Sequence, residues 1–285
     1  MASVPSPRGR GVRGLPDPAS AAVEEVRLAR RALSPPADVH EARKHLKRAR
    51  AFLRLCETGE AAARAATLRR DLRDAGQELA TLRDREAVLE ALGALDGESR
   101  IPPSALAALR TRGDDDREEG DGEAPARVRR RLGKAERRLG RLAGAASAGE
   151  WMGALGKSYR RARRAYRHAR SHPTAEALHT LRKRAKDLRY QMEWLAPVWP
   201  GVLGAWSEEL HLLTDALGRA QDVRVVRRRL GEAAAPGERR RVALILWDLR
   251  RDGRRARRDA LARGAKLFTE GAGSFTRRMA GLAES

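Results

Sequence analysis

An all-α protein is predicted, and three observations predict it. Apolar residues recur at helical spacing through long segments that Gly and Pro interrupt. Strand-type runs of Val, Ile, Thr and aromatics are nearly absent. A basic dodecapeptide at 39–50, VHEARKHLKRAR, returns at 178–189 as LHTLRKRAKDLR, with histidine second each time. With four helices read in each half, that doubling predicts a duplicated helical bundle.

The elements follow in order. Residues 1–18 read as a disordered basic tail, without the apolar stretch of a signal peptide. The first helix covers 19–32 and stops before Pro35-Pro36. Asp38 is a helix N-cap with Glu41 three residues on, opening a second helix that runs to Thr58. A third spans 60–92. The loop GALDGESRIPP, a helical turn at 104–111 and GDDDREEGDGEAP at 113–125 come next; the last holds seven carboxylates and is expected to be a disordered linker. A fourth helix covers 126–143. GAASAGE at 144–150 reads as a hinge, so the first bundle is assigned to 19–147 and the second to 148–285. The second half has helices at 150–171, from the Thr174 cap to before Pro197, at 203–230, at 237–268, and a short one near 274–282.

The 285 residues carry 60 Lys+Arg against 38 Asp+Glu, a net charge of +22. Residues 1–147 hold 30 basic and 23 acidic residues, hence +7; residues 148–285 hold 30 and 15, hence +15. Such an excess predicts a polyanionic partner. No apolar run approaches the ~20 residues of a membrane span. The single cysteine, Cys56, excludes a disulfide framework and a CxxC metal knuckle, and suits a reducing cytoplasm.

Helical residues turn about 100° each. With His40 at zero, Arg43, Lys44, Lys47, Arg50 and Arg54 share its stripe, while Ala42, Leu46, Ala49 and Leu53 fall on other faces. In the second copy His179, Arg182, Lys183, Lys186 and Arg189 share a stripe, opposite Leu181, Ala185, Leu188 and Met192. Basic residues on a solvated face are ordinary. Such faces usually mix signs to gain i,i+4 pairs, however, and these stripes repel themselves. A bound anion offsets that repulsion. Similar rows occur at Arg27, Arg30 and Arg31, at Arg160, Arg163, Arg164 and Arg167, and at Arg251, Arg254, Arg255 and Arg258.

Other chemistries fit less well. None of the six histidines forms HxH or HExxH, so no metal or cofactor site is predicted. His45 falls at the edge of the apolar face and reads as packing or boundary. A phosphohistidine role for His40 or His179 ranks below simple phosphate binding. The stripes lack carboxylates to hold a catalytic metal, and neither a P-loop nor a G-x-S-x-G elbow occurs; a non-enzymatic binding protein is expected. Nucleic-acid binding is the main alternative, but aromatics for base stacking make up only 4% of the chain. Trp194, Trp199, Trp206 and Trp247 read as core or bundle-end packing. Docking of an acidic protein stays open.

At H-x-x-R-K-x-x-K-x-x-R, residues 40–50 and 179–189, the sequence resembles the CHAD domain, an α-helical domain named for its histidines. LGRAQDV at 217–223, a weaker LATLRDR at 79–85 and SYRRARRAYRHA at 158–169 support the resemblance over about 20–285. It implies two four-helix bundles related by pseudo-twofold internal duplication, and a binder of inorganic polyphosphate, with or without divalent counterions, some members residing on polyphosphate granules in the cytoplasm. It implies contacts from His40, Arg43, Lys44, Lys47, Arg50, His179, Arg182, Lys183, Lys186 and Arg189, and from Tyr159, Arg160, Arg163 and Arg164. Arg27 joins this set through its own basic row. Asp84 and Asp222 match a family Asp and read as orienting arginines. The triphosphate-hydrolysing tunnel domain fused to many members is not found in these 285 residues.

Overall fold

Caps set most of the helix boundaries. In the computed structural model, which describes residues 15–80, 123–233 and 239–284, Asp17 accepts hydrogen bonds from the backbone N–H groups of Ala19 and Ser20 and starts α1, Pro18–Ala32. Asp38 accepts from Glu41 N at 2.9 Å and starts α2, Val39–Leu53. Next come α3, Ala62–Glu78, and α4, Ala124–Gly140. Ser147 and Glu150 form a reciprocal capping box at the start of α5, Ala148–Ser171. Thr174 Oγ1 accepts from Ala177 N at 3.1 Å and starts α6, Ala175–Leu195. The chain ends with α7, Pro200–Ala233, α8, Arg239–Leu267, and α9, Ala272–Glu284. The described residues contain no strand.

Several boundaries differ from expectation. α2 ends at Leu53 rather than Thr58, and α3 ends at Glu78, while the 81–92 part of the expected third helix lies outside the described residues. Ala124 and Pro125 belong to the first turn of α4, not to a linker; proline suits that turn because it lacks an N–H that would otherwise be orphaned. Asp17 and Pro18 belong to the α1 start rather than to a tail. The supposed hinge holds the α5 cap, and its last three residues are helical. α7 is longer than expected at both ends. The turn at 104–111, acidic residues 113–122 and Asp84 lie outside the described residues.

Apolar stripes explain the packing. α1 packs on α2 and α4, and α3 packs on both α2 and α4, closing a four-helix ring. Its centre holds Ala22 and Val26, Ala42, Leu46 and Ala49, Leu68 and Leu72, and Val128, Leu132 and Leu139. In the second half α5 packs on α6, α6 on α7 and α7 on α8. α8 touches α5, and α9 covers α5. Leu155, Leu181, Leu188, Met192, Leu210, Leu213 and Leu217 fill that core.

α2 and α6 join the halves. These are the two helices that carry the repeated peptide. Arg54 pairs with Asp187 at 2.9 Å and Arg48 with Glu193 at 2.6 Å. Between those pairs, Gln191 Nε2 donates to the buried Ala51 carbonyl at 2.8 Å. The Arg48 and Arg189 guanidiniums both lie over the Tyr190 ring. Arginine suits this seam because its planar head stacks and pairs at once.

Trp194 is buried and meets Trp151 edge-on, as a core residue should. Trp206 packs beside Phe275. Trp199 and Trp247 are corrections: they are 46% and 57% exposed. Arg251 lies over the Trp247 ring, a cation–π contact that explains how the indole is partnered outside the core. Among the described residues, no helix is long and apolar enough to cross a membrane. Cys56 is buried, and burial pushes its thiol pKa up to about 12, so it is inert as a nucleophile at neutral pH.

Candidate functional site

The join between α2 and α6 leaves an open cleft of about 450 Å³. Arg43, Lys47 and Arg50 of α2 line one wall, and His179, Arg182, Lys183 and Lys186 of α6 line the other. Both basic stripes therefore face one space. Arg54, Arg73 and Arg184 add three more cations, and Asp187 is the one carboxylate in the lining. Arg73 comes from α3, which no stripe on α2 or α6 could have revealed. Arg184 lies off the α6 stripe and lines the cleft beside Asp187, 4.0 Å away.

Charge in the cleft is held against its own repulsion. Burial lowers the Arg50 pKa; Asp187 opposes that effect, and Arg54, Arg69 and Arg73 add to it. The buried Arg50 Nε has no hydrogen-bond partner. Lys186 is brought down from 10.5 to about 8, first by burial and then by Arg182 and Arg189, with Asp215 and Asp222 acting the other way. A buried unpartnered donor and a lysine whose charge is disfavoured both gain from an incoming anion.

α7 positions the α6 wall, through the segment LGRAQDV. Gln221 Oε1 lies 3.3 Å from His179 Nδ1. Arg182 Nε donates to the Thr214 carbonyl at 3.3 Å. Its guanidinium rests on Gly218: a Cβ there would come within 2.8 Å of a terminal nitrogen. A larger residue at this position would push the guanidinium aside from its place on α7. Asp222 acts electrostatically on both Arg182 and Lys186, and burial raises its own pKa.

The remaining candidates lie elsewhere. His40 is exposed at the start of α2, outside the cleft lining. Lys44 pairs with Glu41 at 3.1 Å. Arg189 is engaged by Glu193 at 2.6 Å and His211 at 2.7 Å. Arg27 pairs with Glu136 at 2.8 Å and with Glu24, so its row on α1 is a mixed-sign face, not an open cationic one. Arg160 and Arg164 are exposed on α5, away from the cleft. His45 binds Glu25 at 2.6 Å, a boundary role as expected.

Tyr159 is corrected from ligand contact to core residue. Its ring is fully buried, stacked on Phe275 at 4.1 Å, and its hydroxyl donates to the Glu270 carbonyl at 2.9 Å. Arg163 Nε donates to the Phe268 carbonyl at 3.0 Å. Together they satisfy carbonyls freed at the end of α8, where helical partners run out. The basic segment on α5 is in this part a clamp on the α8–α9 turn. Its phase gave the signal: Trp151, Leu155, Tyr159, Ala162 and Tyr166 follow one apolar stripe.

Among the described residues, no group of three or more His, Cys, Asp or Glu is placed to hold a metal ion. The family model for the CHAD domain matches residues 19–231, well over half of the chain. No curated protein matches the sequence.

Proposed function

Since the chain belongs to the CHAD domain family, whose known association is with polyphosphate, we propose that it binds inorganic polyphosphate in the cleft between α2 and α6. The observation that carries this reading is the convergence of the two repeated peptides on one cleft with nine lysines and arginines and a single carboxylate in its lining. A linear chain with a charge on every unit matches two facing rows of donors. Its oxygens accept charge-assisted hydrogen bonds from guanidinium and ammonium groups. The ligand-contact set we assign is Arg43, Lys47, Arg50, His179, Arg182, Lys183 and Lys186, with Arg54, Arg73 and Arg184 added. The two helical rings are products of internal duplication, at 19–147 and 148–285, so one polyanion meets two equivalent helices.

The role is binding, not hydrolysis. The cleft's one carboxylate, Asp187, already neutralises Arg54, so it is poorly suited to hold a catalytic metal. Nucleic acid is the less favoured polyanion. The fully exposed face of a Trp or Tyr that base stacking needs is missing from the cleft: Tyr190 is 5% exposed and capped by two arginines. We place the protein with polyphosphate in the cytoplasm, including polyphosphate granules.

The test is competition. Labelled long-chain polyphosphate is bound at ~150 mM salt, which largely screens weak exposed contacts, and is displaced with unlabelled polyphosphate, duplex DNA, single-stranded RNA or heparin. Polyphosphate is expected to displace at far lower phosphate concentration than the others. Equal displacement by DNA or RNA refutes a dedicated polyphosphate site.

Lys186 adds a pH signature. Its pKa of about 8 in the free protein rises when a phosphate oxygen sits beside it. Below about pH 8 both states carry the proton and affinity is flat; above it, binding takes up a proton and affinity falls as pH rises. Dissociation constants measured from pH 7 to 10 are expected to show that fall. Lys186→Arg, which stays charged throughout, should flatten it. A fall of the same size in the Arg variant rules out Lys186 as its source.

A further inference from the structure

A second cavity lies between α7 and α8, about 400 Å³ in volume. Arg224 and Arg227 of α7 and Arg250, Arg254 and Arg257 of α8 line it, and the lining contains no carboxylate. Spacings of three and four residues put each set on one helix face. The floor is apolar, made by Leu178, Val223 and Leu249. Gly253 lets the two helices close over it: a Cβ there would lie 3.2 Å from Val223 Cγ1.

These arginines differ from most others in the protein. Arg27, Arg48, Arg54, Arg138, Arg189, Arg263 and Arg278 all have a carboxylate within 3 Å. Among the described residues, none of the five cavity arginines has an ion pair or a hydrogen bond to a side chain. Arg227 Nε is buried without any hydrogen-bond partner. Five guanidiniums share this open cavity, three of them exposed, and the one desolvated donor, Arg227 Nε, gains a partner when an anion enters.

The cavity is also a near neighbour of the α2–α6 cleft through shared lining residues. A chamber of about 370 Å³ lies between them. His179 lines both the cleft and that chamber, and Arg224 and Leu178 line both the chamber and the arginine cavity. One carboxylate, Glu176, also lines the chamber. The first turn of α6 thus sits between two basic compartments, with His179 at the junction. Arg250, Arg254 and Arg257 lie beyond residue 231, where the family match ends.

We propose that the arginine cavity between α7 and α8 is a second phosphate-chain subsite, which receives the end of a polyphosphate that leaves the cleft past His179. The inference rests on the cleft reading above. It makes the binding path longer than the cleft, so the second site is occupied only by chains long enough to span both. Guanidiniums on two facing helices can grip successive phosphates bidentately. The larger positive excess of the second half of the chain then serves the second subsite.

Chain length separates the two sites. Binding of tripolyphosphate and of long-chain polyphosphate is measured across a salt series for wild type, Arg224→Gln/Arg254→Gln/Arg257→Gln and Lys47→Ala/Lys186→Ala. The arginine variant is expected to hold tripolyphosphate as wild type does, but to bind the long chain about tenfold more weakly. Its log–log salt slope for the long chain should be shallower by about 2, since about one counterion per lost contact is no longer released. Long-chain affinity and slope equal to wild type, with the lysine variant losing both, overturn the extension and leave the cleft standing. A lysine variant that binds both ligands normally overturns the cleft reading and the extension together.

Discussion

Lys47→Ala/Lys186→Ala is expected to weaken polyphosphate binding by roughly a hundredfold, and Lys186→Ala alone to leave the fold at least as stable as before. One lysine faces the cleft from α2 and the other from α6. A hydrogen bond to a charged group is worth about 1.5–3 kcal/mol, so losing two at the lower end gives about 3 kcal/mol. Stability moves differently. The fold lowers the Lys186 pKa, so the protonated side chain is less favourable folded than unfolded. That cost is fully present below about pH 8 and fades between pH 8 and 10.5, as the folded protein gives up a proton that the unfolded chain keeps. Removing the lysine at pH 7 should therefore leave the melting temperature unchanged or raise it. Titration of the double variant with labelled polyphosphate and thermal melting of Lys186→Ala check both halves. Affinity within threefold of wild type removes the cleft as the binding site. A large drop in melting temperature shows instead that Lys186 holds the seam together.

Why this pair was readable beforehand, and much of its setting was not, follows from periodicity. The i, i+3, i+4, i+7 spacing after each histidine fixes which residues share a face, whatever the partner helix. Lys47 and Lys186 were therefore legible, as were the apolar faces of Leu46 and Leu188. The meeting of the two faces is a tertiary fact. Arg73 enters from α3, and Arg54 and Arg184 bracket Asp187, because α2 and α6 pack side by side. No local pattern specifies that crossing. Gly218 and Gln221 sat in a segment singled out in the sequence, but only the path of Arg182 and His179 across α7 shows why those residue types stand there. On α1, Arg27 belonged to a convincing basic row. Its neutraliser, Glu136, is 109 residues away, where no inspection of one helix would find it.

Tyr159→Ala is expected to destabilise the protein by about 3–5 kcal/mol, lowering its melting temperature on the order of 10 °C, the largest stability loss anticipated from any single substitution discussed. The ring touches Phe275, Phe268 and Trp206, and the void left by alanine would lie among aromatics pinned by α8 and α9. Collapse into such a space is difficult, which places the loss high in the usual range. Tyr159→Phe isolates the hydroxyl. It keeps the stack and gives up the bond to the Glu270 carbonyl, at about 1 kcal/mol. Polyphosphate affinity should match wild type for the Phe variant, because Tyr159 is enclosed and does not line the cleft. The two variants separate the roles that the sequence of α5 confounds. If Phe preserved stability yet weakened polyphosphate binding tenfold, the hydroxyl would be a ligand contact after all, and the clamp at the end of α8 would be secondary. If Ala cost less than 1 kcal/mol, the C-terminal helix would not depend on this ring, and the core would have to be anchored through Trp206 and Phe275 alone.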